Sequence, residues 1–508
     1  MESFFLSFIL CWSAFIHLWG IKHLFKWIAD YDEGVYSLGG RFISEGYLPY
    51  KDFYLVHPPL YDLCLASIYR IFGYDFFFGR YFSIALSLLS VILVFLILKK
   101  LFNPAAGLAG AALFSVFPGL YYTWYRVVQE PLAIFFVLLA IFTVADFIKS
   151  GKTGYRLWLS GFFLGLALAT KHTFIAPIVG IIISICWLSF KQLFTRPVQW
   201  QKIPMKIEAW LPGVGIISGY FLISGFFLIT SPQEYIDQTI FTQIDYRLTG
   251  TWHTVISKFQ RFPHAVLEDK VITICILVIF FILFIMLIRK DSSRSNTFLS
   301  ITLLVSTLIS SCFNQFGETR YFVPSFMILV LGTASLMPEM NMKTITSKLN
   351  WQTLKIYRNL FIVMLILVLS IFGFLFQRKD YYFMGPGKIT FEENVYLQAI
   401  DYLEQFPGKI YALNPILPAF SPETASSLYF DTFGMLEVIK LSADEIIQKQ
   451  IEAGVNLFVI DMNVRLMALN NMHYYSLIEE IITDFPMIQT FSSGELRIFD
   501  IDLFLVTQ

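Results

Sequence analysis

About eleven stretches of this chain are apolar enough, and close enough to 20 residues, to cross a bilayer as helices, and nothing constrains its fold more. They lie near 4–21, 80–98, 105–122, 131–148, 157–170, 173–190, 209–229, 271–288, 297–313, 321–337 and 358–377. Hydrocarbon offers no partner to a free backbone N–H or C=O, so each such run closes its hydrogen bonds internally as a helix. The 157–170 run is the shortest and ends at Lys171. A chain of 508 residues allows about three soluble domains, but 56% hydrophobic residues and 15% charged ones exclude that division. Thirty-seven basic residues balance 37 acidic ones, so no basic field recruits nucleic acid. The cysteines at 11, 64, 186, 275 and 312 form no CxxC pair, and most sit in apolar runs as small buried side chains.

Sidedness follows from Lys and Arg in the short connections. Lys99 and Lys100, Lys149 to Arg156, Lys191 to Lys206, Arg289 to Arg294, and Lys343 to Arg358 all fall on one side, the expected cytoplasmic one. Eleven crossings then put the N-terminus in the cytoplasm of a cell-membrane protein. The loops 30–79 and 230–269 and the chain after residue 378 fall outside. The first apolar run lacks a basic leader and a cleavage site, which makes it a retained span.

Two domains are expected: a membrane domain over 1–379 and an extracytoplasmic α/β domain over 380–508. In the latter, 409–413, 456–461, 487–491 and 495–501 read as strands. Residues 442–453 read as an amphipathic helix capped by Ser442 and stopped by Gly454, and 474–483 as a second helix.

The first outer loop carries the chemistry signal. Apolar residues at 35, 38 and 42 suit a helix on the membrane surface that Gly46 stops, and Pro58-Pro59 opens a second over about 58–72. Together they bring Asp32, Glu33 and His57 to the boundary between lipid and water.

The ordered motifs resemble a known family, the GT-C fold glycosyltransferases that use polyprenyl-phosphate sugars, of the glycosyltransferase family 39 type. That group takes in protein O-mannosyltransferases and lipid A aminoarabinose transferases. The resemblance covers roughly residues 1–380. It rests on Asp32-Glu33, on Gly46, Pro49-Tyr50 and Asp52 followed by His57-Pro58-Pro59-Leu60, and on Arg126 with Glu130-Pro131-Leu132. Gly165 to Lys171 and Glu318-Thr319-Arg320-Tyr321 with Pro324 complete it. Two departures leave the acceptor class open: Glu130 stands where Asp is common, and Tyr61 follows Leu60 where the O-mannosyltransferases have Gly-Lys.

The resemblance implies a polytopic membrane enzyme that moves a sugar, mannose or a related hexose by default, from a lipid-phosphate donor to a hydroxyl of a protein, lipid or glycan at the outer face. Asp32 then is the catalytic base of an inverting transfer, since no activated Ser or Cys nucleophile is visible. Its competing reading is an N-cap for a helix from Glu33. Glu33, His57, Arg126, Glu130, Lys171, Arg247, Glu318, Arg320 and Tyr321 are the candidate substrate contacts. Glu33, His57 and Glu130 are the candidate ligands should a divalent ion take part. Each has a plainer role: Glu130 suits a helix N-terminus, His57 a hydrogen-bonded turn, and the cations snorkel. Lys171 and Arg320 are the first choices to neutralise the leaving phosphate. The 230–269 loop is either a lid over the donor or an interfacial segment. Tyr121, Tyr122, Trp124 and Tyr125 read as an interface belt before sugar stacking. A flippase should show repeated halves and charges at mid-membrane, which are missing here. A polymerase or ligase of lipid-linked glycans would be expected to carry its chemistry in a late loop, and a non-catalytic assembly protein to bind a partner through the C-terminal domain.

Overall fold

The computed structural model describes residues 2–19, 21, 31–117, 120, 123–152, 154–194, 210–242, 244, 293–313, 322–335, 393–461, 464, 465, 468, 471–492 and 500–506. The apolar runs within these fold as helices: α1 (Glu2–Trp19), α4 (Phe76–Leu101), α5 (Pro104–Val116), α6 (Glu130–Ser150), α7 (Tyr155–Thr170), α8 (Ile175–Phe194), α9 (Leu211–Thr230), α11 (Arg294–Phe313) and α12 (Val323–Ser335); α5 stops at Val116, short of the expected 122, and α5, α7 and α12 are shorter than a full span. The expected spans at 271–288 and 358–377 lie outside the described residues, as do Arg247, Glu318, Arg320, Tyr321 and most of the 230–269 loop.

Between apolar helices in lipid there is little hydrophobic drive to associate, so close packing and polar contacts hold them. α7 and α9 show the first device. A Cβ on Gly161 would lie 2.0 Å from the Pro212 carbonyl oxygen, and one on Gly219 would lie 2.1 Å from that of Phe162. Gly165 and Gly215 make matching approaches, so two Gly-x-x-x-Gly pairs let the backbones touch. Hydroxyls supply the second: Ser184 and Thr302 meet at 2.9 Å between α8 and α11, and Ser325 of α12 donates to Ser310 of α11 at 3.0 Å.

The loop after α1 forms α2 (Tyr31–Glu45) and α3 (Leu60–Phe72). α2 does not lie on a surface with one face wetted: Glu33 to Gly40 and Phe42 are all buried, between the membrane helices and the C-terminal domain. After α9, α10 (Pro232–Ile236) continues into a wide turn over 237–241. Gln238 there accepts from the Leu55 N–H at 3.0 Å and donates to the Tyr50 carbonyl at 2.9 Å, clamping the loop that leads to His57.

The C-terminal domain comprises α13 (Glu393–Gln405), β1 (Lys409–Ala412), α14 (Ile416–Phe420), α15 (Ala443–Glu452), β2 (Val455–Asp461), α16 (Met472–Asp484), β3 (Met487–Phe491) and β4 (Ile501–Leu505). Its sheet runs β1-β2-β4-β3, with β1 parallel to β2 and the other pairs antiparallel. Ser442 forms the expected capping box with Glu445. The fourth strand starts at Ile501, later than the 495–501 run, of which 495–499 lies outside the described residues.

One hydrophobic core joins this domain to the segment between α1 and α4. Phe430 packs on Phe42 (5.4 Å between centroids) and Phe53 (5.9 Å), and Phe420 on Phe76 (4.2 Å). A Cβ on Gly34 would come within 2.6 Å of the Pro415–Ile416 backbone, so only glycine admits α14 here. Tyr74 of the turn after α3 donates to the Ala419 carbonyl at 2.7 Å.

Two sequence expectations fail on burial. Trp124 and Tyr125 are not a belt facing lipid headgroups: both are buried, and Trp124 packs edge-on against His17 at 5.2 Å and against Phe114 at 5.1 Å. Tyr121 and Tyr122 lie outside the described residues. Cys11 is exposed on α1, and Cys64 and Cys186 are half-buried; none of the three is in a disulfide.

Candidate functional site

The site is built where the first turn of α2, the turn before α6 and the C-terminal domain meet. α2 begins at Tyr31, so Asp32 stands inside its first turn, which excludes the N-cap reading; its side chain is half-buried. Glu33, the next residue, is fully buried and points elsewhere. Arg80 of α4 donates to both its oxygens, Nε to Oε2 at 2.9 Å and a terminal nitrogen to Oε1 at 3.0 Å, and the Val127 N–H adds a third bond at 2.9 Å. Both side chains of this pair are 0% exposed. A fork-to-fork pair of this kind fixes orientation, because each oxygen has one optimal donor direction. It binds α2 to α4 and to the 126–129 turn, thereby setting where Asp32 stands. Its geometry spends the Glu33 carboxylate on a protein cation.

Glu130 opens α6, with Pro131 following, and its Oε1 accepts from Lys171 at 2.6 Å, just past the end of α7. Among the described residues its buried Oε2 has no hydrogen-bond partner, nor do the two buried amide atoms of Gln129. Arg126 is buried with its guanidinium 5.8 Å from the Tyr125 ring. His172, after Lys171, begins a hydroxyl chain: His172 to Tyr220 at 3.4 Å, Tyr220 to Tyr235 at 2.8 Å, and Tyr235 to Ser224 at 2.8 Å. His57 is half-buried with its ring 5.6 Å from that of Tyr36, and its carbonyl accepts from the Tyr50 hydroxyl at 2.7 Å. Among the described residues, no three His, Cys, Asp or Glu side chains converge as a metal cage.

Two carboxyls that the sequence reading passed over complete the picture. Asp431 of the C-terminal domain is buried beside Tyr31, whose hydroxyl donates to its Oδ1 at 3.2 Å. Burial pushes its carboxyl up to about 6; the Gly434 amide and Tyr31 oppose that rise and the charge of Asp32 adds to it. Asp62 of α3 is wholly buried, and among the described residues its oxygens have no partner beyond its own backbone N–H, so burial holds it well above the usual carboxylate range against the opposing pull of that amide.

Asp62 yields a stability prediction. Its folded-state pKa is raised, so its contribution is complete below the unfolded value of about 4 and is lost as pH climbs toward the folded value. Replacing it by the isosteric Asn removes that loss. Asp62→Asn is expected to raise the thermal midpoint at pH 8 and to leave it nearly unchanged at pH 4. Equal shifts at both pH values would show that Asp62 is not held neutral.

Residues 56–206 match the family described as dolichyl-phosphate-mannose-protein mannosyltransferase, a segment that includes His57, Arg126, Glu130 and Lys171. Comparison with curated proteins gives no match. Among solved structures, ArnT from Cupriavidus metallidurans bound to undecaprenyl phosphate superposes with a TM-score of 0.61 at 13% identity, over 99% of this chain and 98% of that one. The AglB oligosaccharyltransferase of Archaeoglobus fulgidus, in complex with an inhibitory peptide and a dolichol-phosphate, superposes with a TM-score of 0.51 at 11% identity. That match spans 97% of this chain and 73% of that one. The chain is thus an integral membrane protein with the GT-C fold that its motifs resemble, and its residues 56–206 are similar to the family described as dolichyl-phosphate-mannose-protein mannosyltransferase.

Proposed function

We propose that this protein moves a sugar, mannose or a related hexose, from a polyprenyl-phosphate donor to an acceptor hydroxyl at the outer membrane face, with inversion and with Asp32 as general base. The observation that carries the reading is the placement of Asp32: a half-buried carboxylate in the first turn of α2, where the Glu33–Arg80 pair, the 126–130 turn and the C-terminal domain converge. The undecaprenyl phosphate of the ArnT structure and the dolichol-phosphate of AglB support a lipid-phosphate donor.

In the proposed reaction the acceptor oxygen attacks the anomeric carbon while its proton passes to Asp32. The bond from that carbon to the phosphate oxygen breaks, and polyprenyl phosphate leaves with both electrons. A single displacement inverts the anomeric centre. The leaving phosphate needs positive charge nearby. Among the described residues Lys171 spends one of its three N–H donors on Glu130, which leaves two for such a role, with Arg320 and Arg247 as further candidates. Glu33 and Glu130 are each taken by a protein cation, which disfavours them as metal ligands. The membrane domain over 1–379 would hold the donor lipid, and the domain over 380–508 would face the acceptor on the extracytoplasmic side.

The test incubates membranes containing the protein with radiolabelled mannosyl polyprenyl phosphate and detergent-extracted glycoproteins and glycolipids as acceptors. Mass spectrometry of the same fractions from cells with and without the gene identifies the acceptor. Label should appear on an acceptor that lacks one sugar in the deleted strain. Identical glycan profiles in both strains would reject the reading.

A further inference from the structure

The C-terminal domain reaches into the site through one carboxyl group, and the contact is specific. Asp431 Oδ1 accepts from the Gly434 N–H at 2.9 Å and from the Tyr31 hydroxyl at 3.2 Å, while that hydroxyl accepts from the Phe433 N–H at 2.8 Å. Tyr31 and Phe433 also meet edge-on, with centroids 6.4 Å apart. Tyr31 precedes Asp32 in the same helical turn, and Gly34 in that turn lies against the Pro415–Ile416 backbone. The first turn of α2 is therefore gripped from the C-terminal domain on both sides of Asp32.

We infer that Asp431 is a positioning residue for Asp32: it fixes the turn that carries the base, and its negative charge faces that base and favours proton uptake from the acceptor. The inference rests on the glycosyl-transfer reading for its kinetic consequence, though not for the contact itself. Two carboxylates held near each other repel, and that repulsion is relieved when one of them takes up a proton. A proton moving onto Asp32 in the transition state is helped by a second negative charge that does not itself accept it. The groups facing Asp431 are Tyr31 and Asp32 from α2, Tyr411 from β1 and Tyr474 from α16, with the Gly434 amide behind it. Tyrosines stay neutral across the working range, so among the described residues the charge seen by Asp431 is that of Asp32. Because the Asp431 carboxyl titrates at about 6, the device is charged at neutral pH and discharged in mild acid.

The test compares wild type with Asp431→Asn, which keeps an oxygen for Gly434 and Tyr31 and removes only the charge. Both are full-length and purified in lipid nanodiscs. In the mannosyl polyprenyl phosphate assay, kcat of Asp431→Asn should be about 3- to 10-fold lower above pH 7. It should converge on wild type below pH 5, where wild-type Asp431 is itself neutral, with KM for the donor unchanged within twofold. A structural loss would lower the rate equally at every pH. A second arm needs no activity: the thermal midpoints of wild type, Asp32→Asn, Asp431→Asn and the double variant form a cycle. At pH 8 Asp32→Asn should raise the midpoint by ~2 °C more in the wild-type background than in Asp431→Asn, and at pH 5 this difference should vanish. No coupling at pH 8 overturns the inference whether or not the protein is active. Coupling without a pH-dependent rate difference in an active enzyme overturns the catalytic part. Coupling in a protein that transfers no sugar discards the glycosyl-transfer reading and retains the contact.

Discussion

Asp32→Asn is expected to lower sugar transfer by about 10²-fold or more while the protein still folds and inserts, the loss typical of removing a positioned general base. Asn keeps the size and polarity of the side chain but cannot take the acceptor proton. Asp32 is half-buried, and the turn that carries it is held by its neighbours Tyr31, Glu33 and Gly34. The substitution should therefore spare the fold. Asp32→Glu moves the carboxylate by about one methylene and should retain a small part of the rate, since misplacement by about 1 Å is already costly. The measurement is transfer from mannosyl polyprenyl phosphate in reconstituted vesicles, alongside the thermal midpoint of each variant. Turnover of Asp32→Asn within tenfold of wild type would remove this residue from the base's role.

The largest effect on stability is expected at Arg80. Removing one partner of a buried ion pair leaves the other charge uncompensated, which costs about 3–5 kcal/mol. Arg80→Met would strand Glu33, fully buried, with only the Val127 N–H among the bonds described above. Low yield and a strongly reduced thermal midpoint are expected, with activity lost because α2 no longer holds Asp32 in place. The double variant Glu33→Leu with Arg80→Met removes both charges and should recover most of the stability, since apolar replacements of buried pairs are often neutral or better. If Arg80→Met unfolded like wild type, the pair would contribute nothing beyond its geometry.

The helices were legible in the sequence because a span needs only length and apolarity, and both are local. The capping box at Ser442 and Glu445 was legible for the same reason, its partners lying three residues apart. The Gly161–Gly165 and Gly215–Gly219 spacings are visible in the sequence, yet not that they face each other, since that depends on how α7 and α9 are arranged. Arg80 reads locally as a cation at the start of a span; its partner lies 47 positions earlier, with no period connecting them. Asp431 is 400 positions from Tyr31, inside a stretch whose sequence resembles no motif of the membrane domain. Trp124 and Tyr125 misled because an aromatic cluster near a span end has the same composition whether it faces headgroups or a neighbouring helix. Burial tells those cases apart, and burial is a property of the assembled bundle.

The single apolar core shared by α2, α3 and the C-terminal domain bears on how such a protein can diversify. A soluble tail joined by a tether can be exchanged wholesale, whereas one whose aromatic side chains interleave with the α2–α3 segment cannot. Recombination just before Glu393 would leave Phe42, Phe53 and Phe76 facing the wrong partners. The heritable cassette is discontinuous: the stretch from Tyr31 to Phe76 must travel together with Glu393 to Val506, although more than 300 residues separate them in the chain.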